Sequence, residues 1–439
     1  MTDVGADEMA EDKISLKLLA KHCVDACVRG CKEIRAVAKR NKRVMDDGNF
    51  AMKNEKIKHT FKDENDARSA LTEADVNAQS VIIGALRKSY GERLNIVGEE
   101  DGDANAKPRE DEERLRDDCF EFAKMEEVED VEVRVGDCVV FVDPVDGTRE
   151  FIEERYQNCQ CLIGIAHKGR AVVGVVGIPF PKGKITKDCD VEALAVVYGM
   201  CYEKEDEGGT VVRVLETCNE TLLGNAAATA TTIALAETTK TKTTKTPTTN
   251  QQQQQKKQRV SSETTTTSSP YILTTGDSKS KALRAAVEVV EECIREDNAY
   301  PIPPERLITG GAGNKILRVA TGISPSSSSS QQTPPTTTPN DPSKQTKNAP
   351  PDCALMHMGT CAWDTAAPEA VLRASGGTVT DLFGSRLVYD CSNKNEAYVN
   401  ARGVLASSKR TVESGLHDVF CQKMRESQKL LTLFDIDIL

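Results

Sequence analysis

Between residues 14 and 40, apolar side chains recur at Leu16, Leu19, Cys23, Ala26, Gly30, Ile34 and Val37. That three- and four-residue spacing marks one face of a helix. After a polar stretch, Ala74 to Tyr90 predicts a second helix, and Asn95 to Val97 a short strand ending at Gly98-Glu99-Glu100. The pattern then changes. Cys138 to Val142 (CVVFV) is an unbroken apolar, β-branched run bounded by Asp143-Pro144, which predicts a buried strand opening into a loop. Two further strands, Cys161 to Ala166 and Ala171 to Ile178, flank a turn at His167-Lys168-Gly169-Arg170. Glu192 to Tyr202 reads as another strand region and Lys281 to Arg295 as a helix.

Polar runs interrupt this pattern. Residues 101–134 hold 14 Asp or Glu against 6 Lys or Arg, the signature of a solvated loop with one exposed helix. Residues 238–269 are mostly Thr, Lys, Gln and Ser, and residues 324–351 mostly Ser, Thr, Pro and Gln. Neither carries enough apolar surface to offset its ordering entropy, so both are expected to be disordered surface insertions. The chain is expected to divide into an N-terminal α+β unit, 1–203, carrying the acidic insertion, and a C-terminal α/β unit, 204–439, carrying the other two.

Charge narrows the choice of partner. With 57 Lys and Arg against 68 Asp and Glu, the net charge is -11. Nucleic acid polymers need clustered cations and are not expected partners. A small phosphorylated metabolite remains compatible if a metal mediates the contact. No apolar run approaches the roughly 18 residues of a membrane span. The acidic start lacks an apolar leader, so the expected location is the cytosol. The 15 Cys include no CxxC pair. Cys23, Cys27 and Cys31 repeat every four residues on one helical face, which reads as small buried hydrophobes ahead of a metal or redox site.

Four acidic clusters carry the candidate chemistry: Asp75 in Thr72-Glu73-Ala74-Asp75, Glu99 with Glu100, Asp143-Pro144-Val145-Asp146-Gly147-Thr148, and Trp363-Asp364-Thr365. Pro368 falls where the first turn of a helix is expected. Carboxylates at strand ends and helix starts can converge on one rim without entering a core, and hard oxygen donors select magnesium, manganese or calcium over zinc. In the third cluster, proline fixes the turn and Gly147 permits close approach of backbone to ligand. Gly310 to Lys315 (GGAGNK) precedes a helical pattern at Ile316, and a glycine-rich helix start offers N–H groups to an anion.

Together, DPVDGTREF, GEED, TEAD and WDTAAPEAVLRASGGTVTD resemble the lithium-sensitive, magnesium-dependent phosphatases related to inositol monophosphatase. GGAGNK, WDTAAPE and residues 138–180 are most similar to the 3'(2'),5'-bisphosphate nucleotidases within that superfamily. The resemblance implies a layered αβαβα sandwich of two subdomains holding two or three magnesium ions. It implies Glu99, Asp143, Asp146, Asp364 and the Val145 carbonyl as metal ligands, with Asp75 on a further ion. It also implies Asp75 and Thr148 as a proton-accepting dyad. Gly147, Thr148, Ser278, Gly311, Gly313, Lys315 and Asp364 are the residues expected at the substrate.

The reaction implied is removal of the 3'-phosphate of adenosine 3',5'-bisphosphate, giving AMP. The sulfated nucleotide and inositol 1,4-bisphosphate are further candidates. An inositol polyphosphate 1-phosphatase or inositol monophosphatase is the alternative within the superfamily, and a catalytically inactive nucleotide sensor the alternative outside enzymes. Two departures bear on substrate: Thr275-Gly276-Asp277-Ser278-Lys279-Ser280 lacks the His of a Ser-x-Ser-His-Ser segment, and Cys361-Ala362 stands where many relatives have Lys.

Overall fold

A computed structural model describes residues 12–41, 59–61, 70–100, 113–185, 194–204, 210–219, 235–240, 270–297, 300, 303–322, 350–357, 359–390 and 398–435. The predicted helical stripe forms α1 (Leu16–Asn41), entered through β1 (Lys13–Ser15), and its apolar face is buried. A small hairpin, β2 (His59–Phe61) and β3 (Ala70–Thr72), leads into α2 (Glu73–Tyr90). Gly30 lets α1 and α2 touch: a Cβ there would lie 2.6 Å from Ile82 Cδ1.

Next come β4 (Asn95–Gly98), α3 (Ala123–Glu126), β5 (Glu132–Arg134), β6 (Cys138–Asp146) and α4 (Thr148–Ile152). Five antiparallel strands follow: β7 (Gln160–His167), β8 (Arg170–Ile178), β9 (Ala195–Glu203), β10 (Thr210–Asn219) and β11 (Leu235–Lys240). With β4 and β6 they form a seven-stranded sheet, ordered β11-β10-β9-β8-β7-β6-β4, in which only the β4–β6 pair is parallel.

The second sheet has five strands, ordered β13-β12-β14-β16-β15. Its segments are β12 (Ile272–Thr275), α5 (Lys281–Glu296), β13 (Glu305–Ile308), α6 (Ala312–Thr321), β14 (Cys353–Met356), α7 (Ala362–Ala374), β15 (Thr378–Thr380) and β16 (Val404–Ser407). Helices α8 (Lys409–Glu413), α9 (Leu416–Glu426) and α10 (Gln428–Leu433) close the chain.

These elements stack as α1 and α2, the large sheet, α6 and α7, the small sheet, and finally α5, α9 and α10. This is the αβαβα sandwich that the resemblance implies. All nine residues of β6 are buried, as its apolar run predicts. Each fully buried Val or Phe in it contributes roughly 1.5–3 kcal/mol relative to exposure.

A row of glycines seats α7 on the large sheet. Gly164, Gly174 and Gly199 face one another across β7, β8 and β9. A Cβ at Gly164 would lie 2.6 Å from Ala366 Cβ, one at Gly174 1.9 Å from the Ala367 carbonyl oxygen, and one at Gly199 2.7 Å from Val371 Cα. Glycine inside a strand here marks the close approach of another backbone. The row sets how deeply α7, and with it Asp364, sits against the sheet.

Four expectations change. Strands β10 and β11 extend the large sheet through Lys240, so the boundary at residue 203 cuts a single sheet: β10 continues the ladder from β9. The insertion placed at 238–269 accordingly begins inside a strand, and its remainder, 241–269, lies outside the described residues, as does 323–349. The described part of the acidic stretch is not simply solvated. Leu115, Phe120, Phe122, Met125, Val128, Val131 and Val133 are buried in the core beneath α1, and β5 pairs with β1. Their irregular spacing among acidic residues hides that apolar content. Finally, Pro368 lies in the second turn of α7, because the helix starts at Ala362. Its missing N–H leaves the Asp364 carbonyl without its i+4 donor.

Candidate active site

Four segments meet where β6 ends. Strand β6 bulges between Asp143 and Asp146, so the pairing that sets Asp143 opposite Leu162 resumes with Asp146 opposite Gln160. The one extra residue breaks the ladder between the two carboxylates. Parallel β4 delivers Glu99 beside them, its amide donating to the Val142 carbonyl at 3.0 Å. Asp364 occupies the third position of α7 and accepts from the Cys361 amide at 2.5 Å. Carboxylate oxygens of Asp143, Asp146 and Asp364 all lie within 4.8 Å of one another.

Asp75 enters from the first turn of α2. Its Oδ2 accepts from the Thr72 amide at 2.8 Å and the Thr72 hydroxyl at 2.5 Å, while Thr72 Oγ1 accepts from the Ala74 amide at 3.2 Å. This reciprocal cap leaves Oδ1 to accept from the Thr148 hydroxyl at 3.0 Å. The same hydroxyl lies 3.1 Å from the Val145 carbonyl oxygen. Gly147, at φ 88°, makes the turn that presents Thr148.

The cluster sits deeper than a rim. Asp75 is 0% exposed, Asp143 1% and Asp146 3%, with Glu99 and Asp364 half-buried. The expectation of a rim outside any core is corrected here: the strand bulge and the start of α2 lie in buried parts of the fold. Burial raises the Asp75 carboxyl to about 6, against the opposing Thr72 hydrogen bond. Burial, then Glu99, Asp146 and Asp364, push Asp143 well above the carboxylate range. Asp364 rises well above it through burial and the charges of Glu99 and Asp146. Like charges crowded out of water disfavour ionisation unless a cation joins them.

Such a cation fits. Asp143 Oδ1 is buried and has no hydrogen-bond partner among the described residues. A buried carboxylate oxygen without a donor, beside two others, is a set of hard oxygen donors that a cation such as magnesium would complete.

Gly310 to Lys315 differs from its expected role. Helix α6 begins at Ala312, and its first amides are already occupied: Ala312 donates to Asp146 Oδ1 at 2.7 Å and Asn314 to Oδ2 at 3.1 Å. The anion at this helix start is the Asp146 carboxylate. Gly311 and Gly313 make room for it, since their Cβ atoms would lie 2.7 and 3.1 Å from Asp146 Oδ2. Lys315 is buried, donates to the Gly311 carbonyl at 2.7 Å, and is lowered in pKa by burial against the attraction of Asp146 and Asp364.

Ser278 stands farther out, in the loop after β12, where its hydroxyl accepts from the Ser280 amide at 3.3 Å. That loop reaches the site through Gly276, beside Lys315, and through Asp277, which pairs with Arg149 at 3.0 Å.

Several contributors escaped the sequence reading. Gln160 donates to Asn314 Oδ1 at 3.2 Å, Asn314 to Asn158 Oδ1 at 3.2 Å, and Asn158 to Glu150 Oε2 at 2.7 Å. This chain of amides ties α6 to β7 and α4. The three glycines under α7 were visible only as interruptions of apolar strands.

The inositol monophosphatase family profile matches residues 19–324 and 352–429. The chain belongs to that family. It is similar to 3'(2'),5'-bisphosphate nucleotidase 1 of Rattus norvegicus and of Homo sapiens, each 27% identical over 365 residues, 82% of this chain and 83% of the relative. Among solved structures it is similar to CysQ from Bacteroides thetaiotaomicron, a bacterial member of the inositol monophosphatase family. There the TM-score is 0.45 with 17% identity, covering 90% of this chain and 98% of that one. As a member of this family the chain is a phosphatase. Among its described residues, no helix is long and apolar enough to cross a membrane.

Proposed function

We propose that the protein hydrolyses the 3'-phosphate of adenosine 3',5'-bisphosphate to AMP and phosphate, in a magnesium-dependent reaction. The Asp143 oxygen without a hydrogen-bond partner, among crowded carboxylates and in a chain that also holds the Asp75–Thr148 pair, carries this reading. Glu99, Asp143, Asp146, Asp364 and the Val145 carbonyl would hold two ions, with Asp75 bordering a third. When bound there, magnesium supplies Lewis acidity toward phosphate oxygens and water.

The chain's own groups do the rest. Thr148 is fixed by two acceptors, Asp75 Oδ1 and the Val145 carbonyl. Its hydroxyl oxygen can accept a proton from water only as it passes its own to Asp75. Thr72 keeps Asp75 oriented by engaging its other oxygen. Asp146, held at the start of α6, fixes that helix and Lys315 relative to the phosphate.

Likeness to the rat and human nucleotidases over four-fifths of the chain favours a nucleotide over an inositol phosphate. The sulfated nucleotide and inositol 1,4-bisphosphate are weaker substrates on this reading. The test is a competition panel of these three compounds with magnesium, repeated after exhaustive chelation. Preference for inositol 1,4-bisphosphate would move the chain to the polyphosphate 1-phosphatases, and full activity after chelation would remove the metal.

A further inference from the structure

Far from the carboxylates in chemical character, three thiols meet inside the first two layers. Cys27 and Cys31 lie one turn apart on α1, and β7 brings Cys161 against them from 130 residues away in sequence. All three are 0% exposed and carry no disulfide. Their sulfur atoms lie within 4.8 Å of one another. Cys27 Sγ also lies 3.5 Å from the Cys161 carbonyl.

The surroundings are shaped to the sulfurs. A Cβ at Gly177 on β8 would lie 2.5 Å from Cys31 Sγ and 2.6 Å from Cys27 Sγ. One at Gly30 would lie 3.3 Å from Cys161 Sγ. Either substitution crowds the cluster, so the two glycines leave the thiols the space between helix and sheet. A pyramidal three-sulfur shell with bonds of about 2.3 Å places its sulfurs about 3.5 Å apart, within reach of thiols that already lie inside 4.8 Å of one another.

Charge decides which ligand suits this shell. Cys27 and Cys161 are perturbed mainly by the neighbouring thiols and by burial. Contacts with Cys27 and Cys31, then burial, hold Cys161 well above the usual thiol range. A divalent ion on three thiolates leaves a net charge of about -1, and a monovalent ion about -2, in a setting that penalises unpaired charge. A trivalent centre leaves none.

We propose that Cys27, Cys31 and Cys161 form a binding site for a trivalent metalloid hydroxide, arsenite or its antimony analogue. The exchange balances without oxidant or reductant. As(OH)3 and three thiols give As(S-Cys)3 and three waters; three S–H and three As–O bonds break, three As–S and three O–H bonds form. Arsenic stays trivalent and the adduct is neutral. Entry requires local opening of α1 from the sheet, so binding is slow and stabilises the packed state.

The test uses the full-length, reduced protein incubated with arsenite. Native mass spectrometry should show one tightly held arsenic with loss of three protons, and X-ray absorption three sulfur neighbours and no oxygen. The thermal midpoint should rise. Cys27→Ala, Cys31→Ala and Cys161→Ala should each lose the three-sulfur signature and the midpoint shift, whereas Cys421→Ala keeps both. Cys161→Ser, nearly isosteric, runs beside the alanine variant, with circular dichroism verifying its fold. No adduct on the wild type, an oxygen remaining on arsenic, or the full signature persisting in Cys161→Ser would overturn the site. Tighter binding of zinc than of arsenite would overturn the charge argument.

Discussion

At the carboxyl end of β6 stand Asp143 and Asp146, and beyond the carboxyl ends of parallel β12 and β14 come the Asp277 loop and the segment leading to Asp364. At the amino ends of β12 and β14 stand Pro270 and Pro350, where the two low-complexity insertions rejoin the fold. Both prolines line one cavity with Val319 and Ala320, near the far end of α6. Helix α6 starts on Asp146 and spans about 15 Å between the two regions. At the first, Asp146 is held by two amides of α6 and Asp75 by the Thr148 hydroxyl, so a single changed atom bears on a second segment. At the second, the cavity is lined by none of the candidate site residues.

The strongest way to break this contrast is Asp146→Asn. It should lower turnover at least about a hundredfold, or about 2.7 kcal/mol of barrier. It should also lower the melting temperature, because the amide keeps only one acceptor for the two backbone donors of α6 and turns an N–H toward the other. That costs about 1–3 kcal/mol. Turnover and melt are measured together; an unchanged melt would show that the cap is dispensable.

Gly174→Ala comes next. Its methyl would stand 1.9 Å from the Ala367 carbonyl, so α7 must lift and carry Asp364 with it. Overpacking of this kind costs roughly 1–3 kcal/mol. We expect turnover to fall about tenfold in whatever fraction folds. Wild-type turnover and stability would show that the sheet, not α7, yields.

Stability should also report the carboxylates. Asp75 is raised to about 6 in the folded protein from 3.8. The folded state therefore binds this proton more tightly than the unfolded chain. Its contribution is fully present below pH 3.8 and lost as pH rises through 6, roughly 3 kcal/mol for this group alone. Magnesium should offset that loss only where the carboxylates are ionised. Its increment in thermal midpoint should therefore be larger at pH 7.5 than at pH 5. Equal increments at both would argue against binding at the cluster.

The smallest effect is expected at the other end. Deleting residues 243–266 and 326–348 together should leave turnover within about twofold and the Michaelis constant unchanged. A tenfold loss of turnover, about 1.4 kcal/mol, would show that an insertion reaches the carboxylates.

Legibility in the sequence followed the same divide between contiguous and assembled features. DPVDGT, GEED, TEAD and WDT each compress a strand end or helix start with its carboxylate into a few residues, so the candidate cluster was legible before any fold. The Asp146 cap on α6 joins residues 166 apart, and no local period encodes it. The glycine row spans three strands and becomes visible only when they lie side by side. Cys161 lies 130 residues beyond Cys31, so the repeat at Cys27 and Cys31 read as core packing. The boundary at 203 failed because β10 looks like any other strand, and its membership of the large sheet is a matter of pairing.

That same contact between Asp146 and α6 bears on how the chain assembles. The carboxylates come from residues 75, 99, 143, 146 and 364, and the amides that hold Asp146 come from Ala312 and Asn314. Three of these groups, Asp364 and the two amides, belong to the middle helices packed between the large and small sheets. Such distant contacts form late, since loop closure must precede them. During refolding, recovery of activity should lag behind secondary structure and appear with the final docking step. Specific activity then counts finished molecules, and a partly folded chain contributes no turnover to the measurement.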